Sequence, residues 1–144
     1  MTALYADTSA LARVYLGDEP EWEPLEALLF ETDAFVVTSE LSSVELARAV
    51  AAAERARRIE SAELLLETID QDLGTVIELV RLQPETVLPT ARRVLIEHRV
   101  GTLDALHLAV AIELRETEGA SNTIFVTRDR VQAAAAKALG FPLL

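Results

Sequence analysis

Residues 3–9 read Ala-Leu-Tyr-Ala-Asp-Thr-Ser, a short apolar run that ends on an acid followed by two hydroxyl residues. The run predicts a buried strand over residues 3–6, with a turn or helix start at Asp7. A second segment has the same arrangement, because a short strand predicted in residues 124–127 is followed by Asp129. Sites in open parallel sheets form at the carboxyl ends of strands, so we expect Asp7 and Asp129 to lie at one edge.

Between these segments, strands of four to six apolar residues alternate with helical stretches. Further strands are predicted over 34–38 and 75–80, and residues 141–144 are expected to add an edge strand. Ser39 and Thr102 are the expected N-caps of two helices. Helices are predicted over 9–16, 21–32, 40–57, 60–72, 86–98, 103–117 and 130–139. This alternation is typical of an α/β protein whose parallel sheet is covered on both faces.

The composition narrows the classes of function. A length of 144 residues favours one domain over residues 1–144, and the absence of cysteine excludes disulfides, thiolate zinc sites and thiol nucleophiles. The net charge of −11 argues against a broad basic surface for nucleic acid. A phosphate substrate would therefore have to be attracted by a bound cation and a local set of arginines.

Nothing in the sequence indicates a membrane or secreted protein. The N-terminus lacks a basic region before its apolar run, and no apolar run approaches the ~18 residues that span a bilayer. We therefore expect a soluble cytoplasmic protein with no membrane partner.

Two further acids interrupt helices that are otherwise apolar. Glu45 lies in one row with Leu41, Ala49 and Ala52, so a buried carboxylate there needs a cation or hydrogen-bond donors. The structural alternative is a surface ion pair with Arg48, three residues on.

Asp104 lies in the first turn of a helix that is apolar nearly all round. The helix dipole alone would favour an acid there, just as N-capping alone would account for Asp7 and Asp129. His107, three residues after Asp104, is more typical of a satisfied, partly buried histidine than of a ligand or a base.

If the fold brings the four acids together, they form a cluster of hard oxygen ligands of the kind that holds Mg²⁺ or Mn²⁺. Ser9 and Thr127 are short hydroxyl residues beside two of these acids and are expected to orient carboxylates or bound waters.

At this point the sequence resembles the PIN-domain family, and especially its VapC-type ribonuclease toxins of toxin–antitoxin pairs. The resemblance is carried by residues 5–11, 43–46, 102–109 and 126–129, which follow the family's order along the chain. The segment Thr-Leu-Asp-Ala-Leu-His-Leu-Ala at 102–109 is the most specific of the four.

The resemblance implies an αβα sandwich with a central parallel sheet of four to five strands and an acidic pocket at its carboxyl edge. Asp7, Glu45, Asp104 and Asp129 match the family's metal-binding and catalytic positions one by one, and Asp129 is either a ligand or the holder of an outer water. Ser9 and Thr127 match positions that support them. The expected activity is a Mg²⁺- or Mn²⁺-dependent endoribonuclease, which uses water and leaves a 5′-phosphate and a 3′-hydroxyl.

The resemblance also implies partners: an RNA substrate, a cognate antitoxin of a type II toxin–antitoxin system, a homodimer, and a higher assembly with the antitoxin. Trp22, Tyr15 and Phe30 are candidate interface aromatics, although a core role is slightly favoured for each. The arginines that could meet substrate phosphates, or simply be surface charge, are Arg13, Arg48, Arg128 and Arg130.

The main alternative is a non-catalytic PIN-like binding module whose acidic pocket binds a basic partner peptide. A phosphoacceptor of the response-regulator kind is disfavoured, because the only lysine, Lys137, lies inside a predicted helix. A DNA-directed flap nuclease is also conceivable, although the short chain lacks the extra elements that grip a duplex.

Overall fold

The computed structural model of the protein describes residues 2–117 and 120–144. Over these residues strands and helices alternate, as the sequence predicts. The strands are β1 (Ala3–Ala6), β2 (Phe35–Ser39), β3 (Ile77–Val80) and β4 (Thr123–Val126). The helices are α1 (Thr8–Leu16), α2 (Trp22–Phe30), α3 (Leu41–Arg55), α4 (Ala62–Asp72), α5 (Pro84–His98), α6 (Thr102–Glu116) and α7 (Arg130–Ala138).

The four strands form one parallel sheet in the order β3-β2-β1-β4. β1 is central, since its first residue, Ala3, pairs with Phe35 on one side and with Thr123 on the other. Every residue of β1 is buried, which explains why its sequence is a continuous apolar run rather than an alternating one.

Successive side chains of β1 enter two separate cores because the strand period is two. Tyr5 joins Phe125 of β4 in a core that α5, α6 and α7 cover, and the two rings stack with centroids 5.3 Å apart. Leu4 and Ala6 point to the opposite face, into a core that α1 to α4 cover. The predicted αβα sandwich with a central parallel sheet is confirmed, with four strands.

Two predicted N-caps were each displaced by one residue from the position that the structure shows. Ser39 is the last residue of β2, where it pairs with Val80, and the N-cap position of α3 is Glu40, which makes no side-chain cap; Ser39 Oγ does, however, accept from the amide of Leu41, the first residue of α3, at 3.1 Å. Thr102 is the first residue of α6 and Gly101 is its N-cap.

The predicted edge strand over residues 141–144 is reduced to a single bridge between Leu143 and Phe125. The carbonyl of Pro142 accepts a hydrogen bond from the amide of Phe125, at 3.0 Å. Proline has no amide hydrogen to return to the ladder, so regular pairing cannot continue through it.

Two of the three candidate interface aromatics, Tyr15 and Phe30, are partly buried and pack against the core on the α1–α4 side. The Tyr15 hydroxyl also donates to Asp72 Oδ2 at 2.7 Å, which ties α1 to the end of α4. Trp22 is partly buried at the start of α2 and lies beside Gly17. Among the described residues, none of the helices is long and apolar enough to cross a membrane.

Candidate active site

Asp7 lies where β1 ends, at the carboxyl edge of the sheet. Its side chain is almost fully buried and accepts three hydrogen bonds: from Ser9 Oγ at 2.7 Å, from the amide of Ala10 at 3.1 Å, and from Thr127 Oγ1 at 2.6 Å. Burial raises the pKa of this carboxyl group above its usual value, although the three hydrogen bonds oppose the rise. The N-capping role considered from sequence is confirmed, since the bond from Ala10 caps α1.

Ser9 and Thr127 join the ends of β1 and β4. Their hydroxyl oxygens are 3.0 Å apart, Ser9 Oγ accepts from the amide of Arg128 at 2.9 Å, and Thr127 Oγ1 accepts from the amide of Asp129 at 3.1 Å. The two side chains therefore contact Asp7 and also shape the turn that carries Asp129. That is the geometry expected of residues that orient a carboxylate.

Asp129 follows β4 and caps α7, so the N-capping role considered from the sequence is confirmed. Its Oδ1 accepts from the amide of Gln132 at 3.0 Å. The Gln132 side chain is buried, and its Nε2 donates to the backbone carbonyl of Asp104 at 3.1 Å. Gln132 thereby ties the first turn of α6 to the first turn of α7, which places Asp104 and Asp129 on neighbouring elements.

Asp104 is partly buried in the first turn of α6. Burial raises the pKa of its carboxyl group, and the negative charges of Asp129 and Asp7 raise it further, with a smaller contribution from Glu45. The charges of the other three acids, which come from different elements of the fold, therefore all act on Asp104.

Glu45 extends from α3 and keeps 22% of its side chain exposed. The sequence suggested that the row of Glu45, Leu41, Ala49 and Ala52 is buried. In the structure this row lines a surface groove instead. The partner of Glu45 is also different from the one considered. Glu45 Oε1 contacts His107 Nε2 at 2.6 Å and accepts from Thr8 Oγ1 at 3.0 Å.

Partial burial favours the neutral form of Glu45, but the hydrogen bond and charge of His107, with the bond from Thr8, outweigh it. The pKa of Glu45 is therefore below its usual range, and the side chain is an anion at neutral pH.

His107 and Thr8 are the site residues whose importance the sequence did not reveal. His107 is 2% exposed, and its Nδ1 lies 2.8 Å from the hydroxyl of Tyr5. Burial, together with the charge of Asp7, raises the pKa of Tyr5 well above its usual value, so this hydroxyl keeps its proton. The expectation that His107 is satisfied was right, but the histidine is fully rather than partly buried, and one of its partners is an acid of the site.

The groove beside Glu45 has a volume of about 560 Å³. It is mainly apolar, and two of its walls, Val44 and Leu103, expose 71% and 43% of their surface. Arg48 is the basic residue in its lining. The residues that line it are Thr8, Leu41, Val44, Glu45, Arg48, Ala49, Ala52 and Leu103.

The four arginines named from sequence have different surroundings. Arg13 pairs with Glu19 at 3.0 Å, and Arg128 Nη1 donates to the carbonyl of Thr127 at 2.8 Å, so both are engaged within the chain. Arg48 and Arg130 are exposed on different helices. Of these two, Arg48 is the one that lies in the groove next to an acid of the site.

The carboxylate oxygens of the four acids are the ligands that a hard divalent cation prefers, although the four side chains are not close enough together to form a finished metal site. Within residues 2–117 and 120–144, no three His, Cys, Asp or Glu side chains are grouped closely enough to form a ready-made metal site. Burial makes the charged form of Asp7 unfavourable, and burial together with neighbouring carboxylates does the same for Asp104, so both pKa values are raised. A bound cation would stabilise both charged forms. The carboxylates thus fit Mg²⁺ or Mn²⁺ in chemistry, and their role as ligands stays a prediction.

The sequence model of the PIN domain matches residues 4–138. The chain belongs to the PIN-domain family. Ribonuclease VapC47 of Mycobacterium tuberculosis (strain CDC 1551 / Oshkosh) is 32% identical to this PIN domain over 141 residues, which are 96% of this chain and 93% of that protein. The resemblance to VapC-type members of the family is therefore confirmed.

Solved structures show the same fold at lower identity. VapBC2 from Rickettsia felis, bound to a DNA fragment from its promoter, matches with a TM-score of 0.64 and 16% identity, over 99% of this chain and 97% of that one. VapC20 of Mycobacterium tuberculosis, a toxin that cleaves the sarcin-ricin loop, matches with a TM-score of 0.65 and 20% identity, over 96% of this chain and 95% of that one.

Proposed function

We propose that this PIN domain is a metal-dependent endoribonuclease that hydrolyses phosphodiester bonds of RNA and acts as the toxin of a type II toxin–antitoxin system. The observation that carries the proposal is that Asp7 and Asp129 follow neighbouring parallel strands at the carboxyl edge of the sheet, where the charges of Asp7, Asp129 and Glu45 all raise the pKa of Asp104. The 32% identity to a protein named as a VapC ribonuclease supports the same activity.

In this proposal Asp7, Glu45 and Asp104 are ligands of Mg²⁺ or Mn²⁺, and Asp129 is either a ligand or the holder of an outer water. When bound, the cation supplies Lewis-acid activation of water and neutralises charge on the phosphodiester. The donor atoms support this assignment. The Asp104 carboxylate and Glu45 Oε2 accept no hydrogen bond from any described residue, so their lone pairs remain for a ligand.

The protein's own contribution is to hold the carboxylates in place. Ser9 and Thr127 fix both oxygens of Asp7, and Thr8 and His107 fix one oxygen of Glu45. A site whose groups are already oriented loses little free energy to reorganisation when charge develops in the reaction.

Water as the nucleophile predicts products with a 5′-phosphate and a 3′-hydroxyl. The competing route, in which the 2′-hydroxyl attacks and a cyclic phosphate remains, needs a positioned acid–base pair. His107 does not suit that role, because both of its ring nitrogens already contact side chains of the protein. His98 lies at the end of α5 beside Glu97, in a groove lined by residues of α5 and α7.

The proposal includes the partners. We propose that residues 1–144 form one cytoplasmic PIN domain that dimerises, binds a cognate antitoxin and forms a higher assembly with it. The groove beside Glu45 is the surface we assign to the antitoxin. Its exposed Val44 and Leu103 suit apolar anchors of a partner, and the adjacent acids suit a basic side chain.

End-group analysis of cleaved RNA tests the activity. The purified chain is incubated with structured RNAs in Mg²⁺, in Mn²⁺ and in chelator, beside Asp7→Asn and the control Asp33→Asn. Asparagine can keep the N-cap at position 7, so the fold should be retained while the carboxylate charge is lost. Asp33 is exposed and precedes β2, at the opposite edge of the sheet.

We expect metal-dependent cuts bearing 5′-phosphates with the wild type and with Asp33→Asn, and a loss of cleavage with folded Asp7→Asn. Normal cleavage by Asp7→Asn would disprove the assignment of Asp7, and cuts that survive chelator would indicate a different mechanism. If no RNA is cut while a basic peptide binds the acidic site, the chain is the non-catalytic binding module instead.

A further inference from the structure

The two helical layers of the fold carry very different charges. Residues 1–80, which contain α1 to α4, include 17 acidic and 5 basic residues, a net charge of −12. Residues 81–144, which contain α5 to α7, include 7 acidic and 8 basic residues, a net charge of +1. The two sets of helices cover opposite faces of the sheet. A polyanion is therefore repelled by the α1–α4 layer and meets no such barrier at the α5–α7 layer.

Four exposed arginines lie on the α5–α7 layer, and we call them the basic strip: Arg92, Arg93, Arg99 and Arg130. The first two are in the second half of α5, and the third directly follows its last residue. Arg130 is the first residue of α7 and comes directly after Asp129. None of the four forms a salt bridge with another described residue, so their charges are available to a ligand.

Two adjoining grooves connect the members of the strip. Arg92 and Arg93 line a groove of about 350 Å³ on α5, and Arg130 lines a groove of about 500 Å³ between the end of α5 and α7. Glu97 lines both grooves, so they adjoin. It is also the single acid in either lining, against three arginines. The surface that leads along α5 to the start of α7 is therefore locally basic, and it ends beside Asp129.

The stability of the fold does not account for Arg130. The amino end of a helix carries a partial positive charge, so a cation in the first turn of α7 is unfavourable. The net charge of the chain, −11, does not cancel the strip either. At physiological ionic strength, exposed charges more than about 8 Å apart are largely screened, so a ligand responds to the local arginines.

We propose that the basic strip binds the RNA backbone next to the phosphate that is cut, so that RNA reaches the acids across the α5–α7 layer. The cutting rests on the proposed function, whereas backbone binding by the strip can be tested without cleavage. The planar guanidinium group of arginine suits this role, because it donates two parallel hydrogen bonds to a phosphate. The groove assigned to the antitoxin is lined by α3 and the start of α6, so the two ligands approach the acids over different surfaces.

The strip variant, Arg99→Gly with Arg130→Gln, removes two of these charges. Arg99 has a φ of 54°, a left-handed conformation that glycine adopts readily, so the fold should tolerate its replacement. The matched control is Arg55→Gln with Arg57→Gly, at the end of α3 on the other layer. Arg57 has a φ of 59°, and both control arginines are exposed. The control therefore makes the same change in charge and in backbone at a different place.

Fluorescence anisotropy of a labelled, mixed-sequence single-stranded RNA of about 20 nucleotides measures binding. The parent chain carries Asp7→Asn, and so do both variants; all are kept in chelator so that the RNA stays intact. At about 50 mM salt we expect the strip variant to bind about 10-fold more weakly than the parent, and the control to stay within about 2-fold. The slope of log affinity against log salt should decrease in magnitude by about 1.4 for the strip variant alone, at about 0.7 per lost phosphate contact.

Equal affinities of the strip variant and the control would overturn the proposal, and so would a parent that binds no RNA at about 50 mM salt. Analytical ultracentrifugation tests the other possible occupant, a second copy of the chain. A mass that falls in the strip variant alone would assign the strip to a dimer interface and overturn its assignment to RNA, whereas an unchanged mass supports it. If the strip variant does not fold, Arg92→Gln with Arg93→Gln replaces it, with the same expected loss of affinity.

These outcomes are separable from failure of the proposed function. A chain whose RNA binding depends on the strip, but whose wild type cuts no RNA in metal, keeps the strip and loses the nuclease assignment. A wild type that cuts RNA, with a strip variant that binds RNA as well as the control does, keeps the nuclease assignment and loses the strip.

Discussion

The hydroxyl of Thr127 offers a direct test of how the carboxyl edge is stabilised. It donates to Asp7 Oδ2 at 2.6 Å and accepts from the amide of Asp129 at 3.1 Å. Thr127→Val keeps the volume of the side chain and removes both hydrogen bonds, together with the 3.0 Å contact to Ser9 Oγ. Because Thr127 is 7% exposed and Asp7 3% exposed, water has little access to replace them.

The expected cost follows from the two bonds. A hydrogen bond to a buried charged group contributes roughly 1.5–3 kcal/mol, and the backbone amide that loses its acceptor adds about 1 kcal/mol. We expect the free energy of unfolding to fall by about 3 kcal/mol at neutral pH. For a chain of this size that corresponds to a decrease in Tm of about 6–12 °C.

The cost should depend on pH, because the Thr127 bond favours the charged form of Asp7. Burial already raises the pKa of Asp7 in the folded protein, and Thr127→Val should raise it further. The full cost is present above that raised pKa, where Asp7 is ionised. It should shrink as the pH falls through the folded-state pKa of Asp7 in the variant and then in the wild type, both above the ordinary value of about 3.9, since a protonated carboxyl group needs the bond less.

Urea unfolding at pH 5 and pH 8 measures this, with Thr123→Val as the matched control. Thr123 is the buried first residue of β4, the strand that Thr127 follows, and it donates to the uncharged backbone carbonyl of Ala120. We expect the control to cost about 1 kcal/mol at both pH values. A cost for Thr127→Val that is equal at the two pH values, or no larger than the control's, would refute the idea that Thr127 stabilises the charged form of Asp7.

Two further substitutions test the same edge. Asp104→Asn should raise Tm by about 1–3 °C at pH 7, because folding raises the pKa of Asp104 and so disfavours its charged form. Solvent screening limits this gain, which should vanish below about pH 4, where the carboxyl group is protonated in both states. A lower Tm than the wild type at pH 7 in calorimetry would contradict the prediction. Gln132→Leu removes one bond to the Asp104 carbonyl and one buried carbonyl oxygen, Oε1, that has no partner among the described residues. The two effects should nearly cancel, so a loss of more than about 1 kcal/mol in urea unfolding would show that Gln132 is better satisfied than its contacts indicate.

The sequence predicted the features that depend on local pattern. The bounds of β1 were right because an uninterrupted apolar run between polar residues leaves little choice for a central strand. The placement of Asp7 and Asp129 at one edge was also right, because parallel strands put their carboxyl ends together. Ser39 was predicted as the N-cap of α3 because a hydroxyl residue before a helix is typical of that position. Its backbone, however, still pairs with Val80 in the sheet.

The partner of Glu45 could not be read from the sequence. Arg48 was considered because it lies one helical turn away, whereas the actual partner, His107, is 62 positions distant and on the other layer of helices. Thr8 was missed for the same reason, since its contact with Glu45 spans 37 positions. Only the packing of α3 and α6 around β1 brings these groups together. The one available signal was that an otherwise largely apolar helix carried a histidine three residues after an acid.

The order of the strands has a consequence for synthesis. β1 is made first, but one of its neighbours is β4, and Thr127 follows Asp7 by 120 positions. At about 5–20 residues per second, a ribosome needs roughly 6–24 s to cover that interval. Throughout it, Asp7 has no Thr127 to fix its second oxygen, and Asp129 does not yet exist. Until Asp129 is made, the growing chain therefore carries an incomplete set of acids, and translation itself sets the earliest moment at which this site can act.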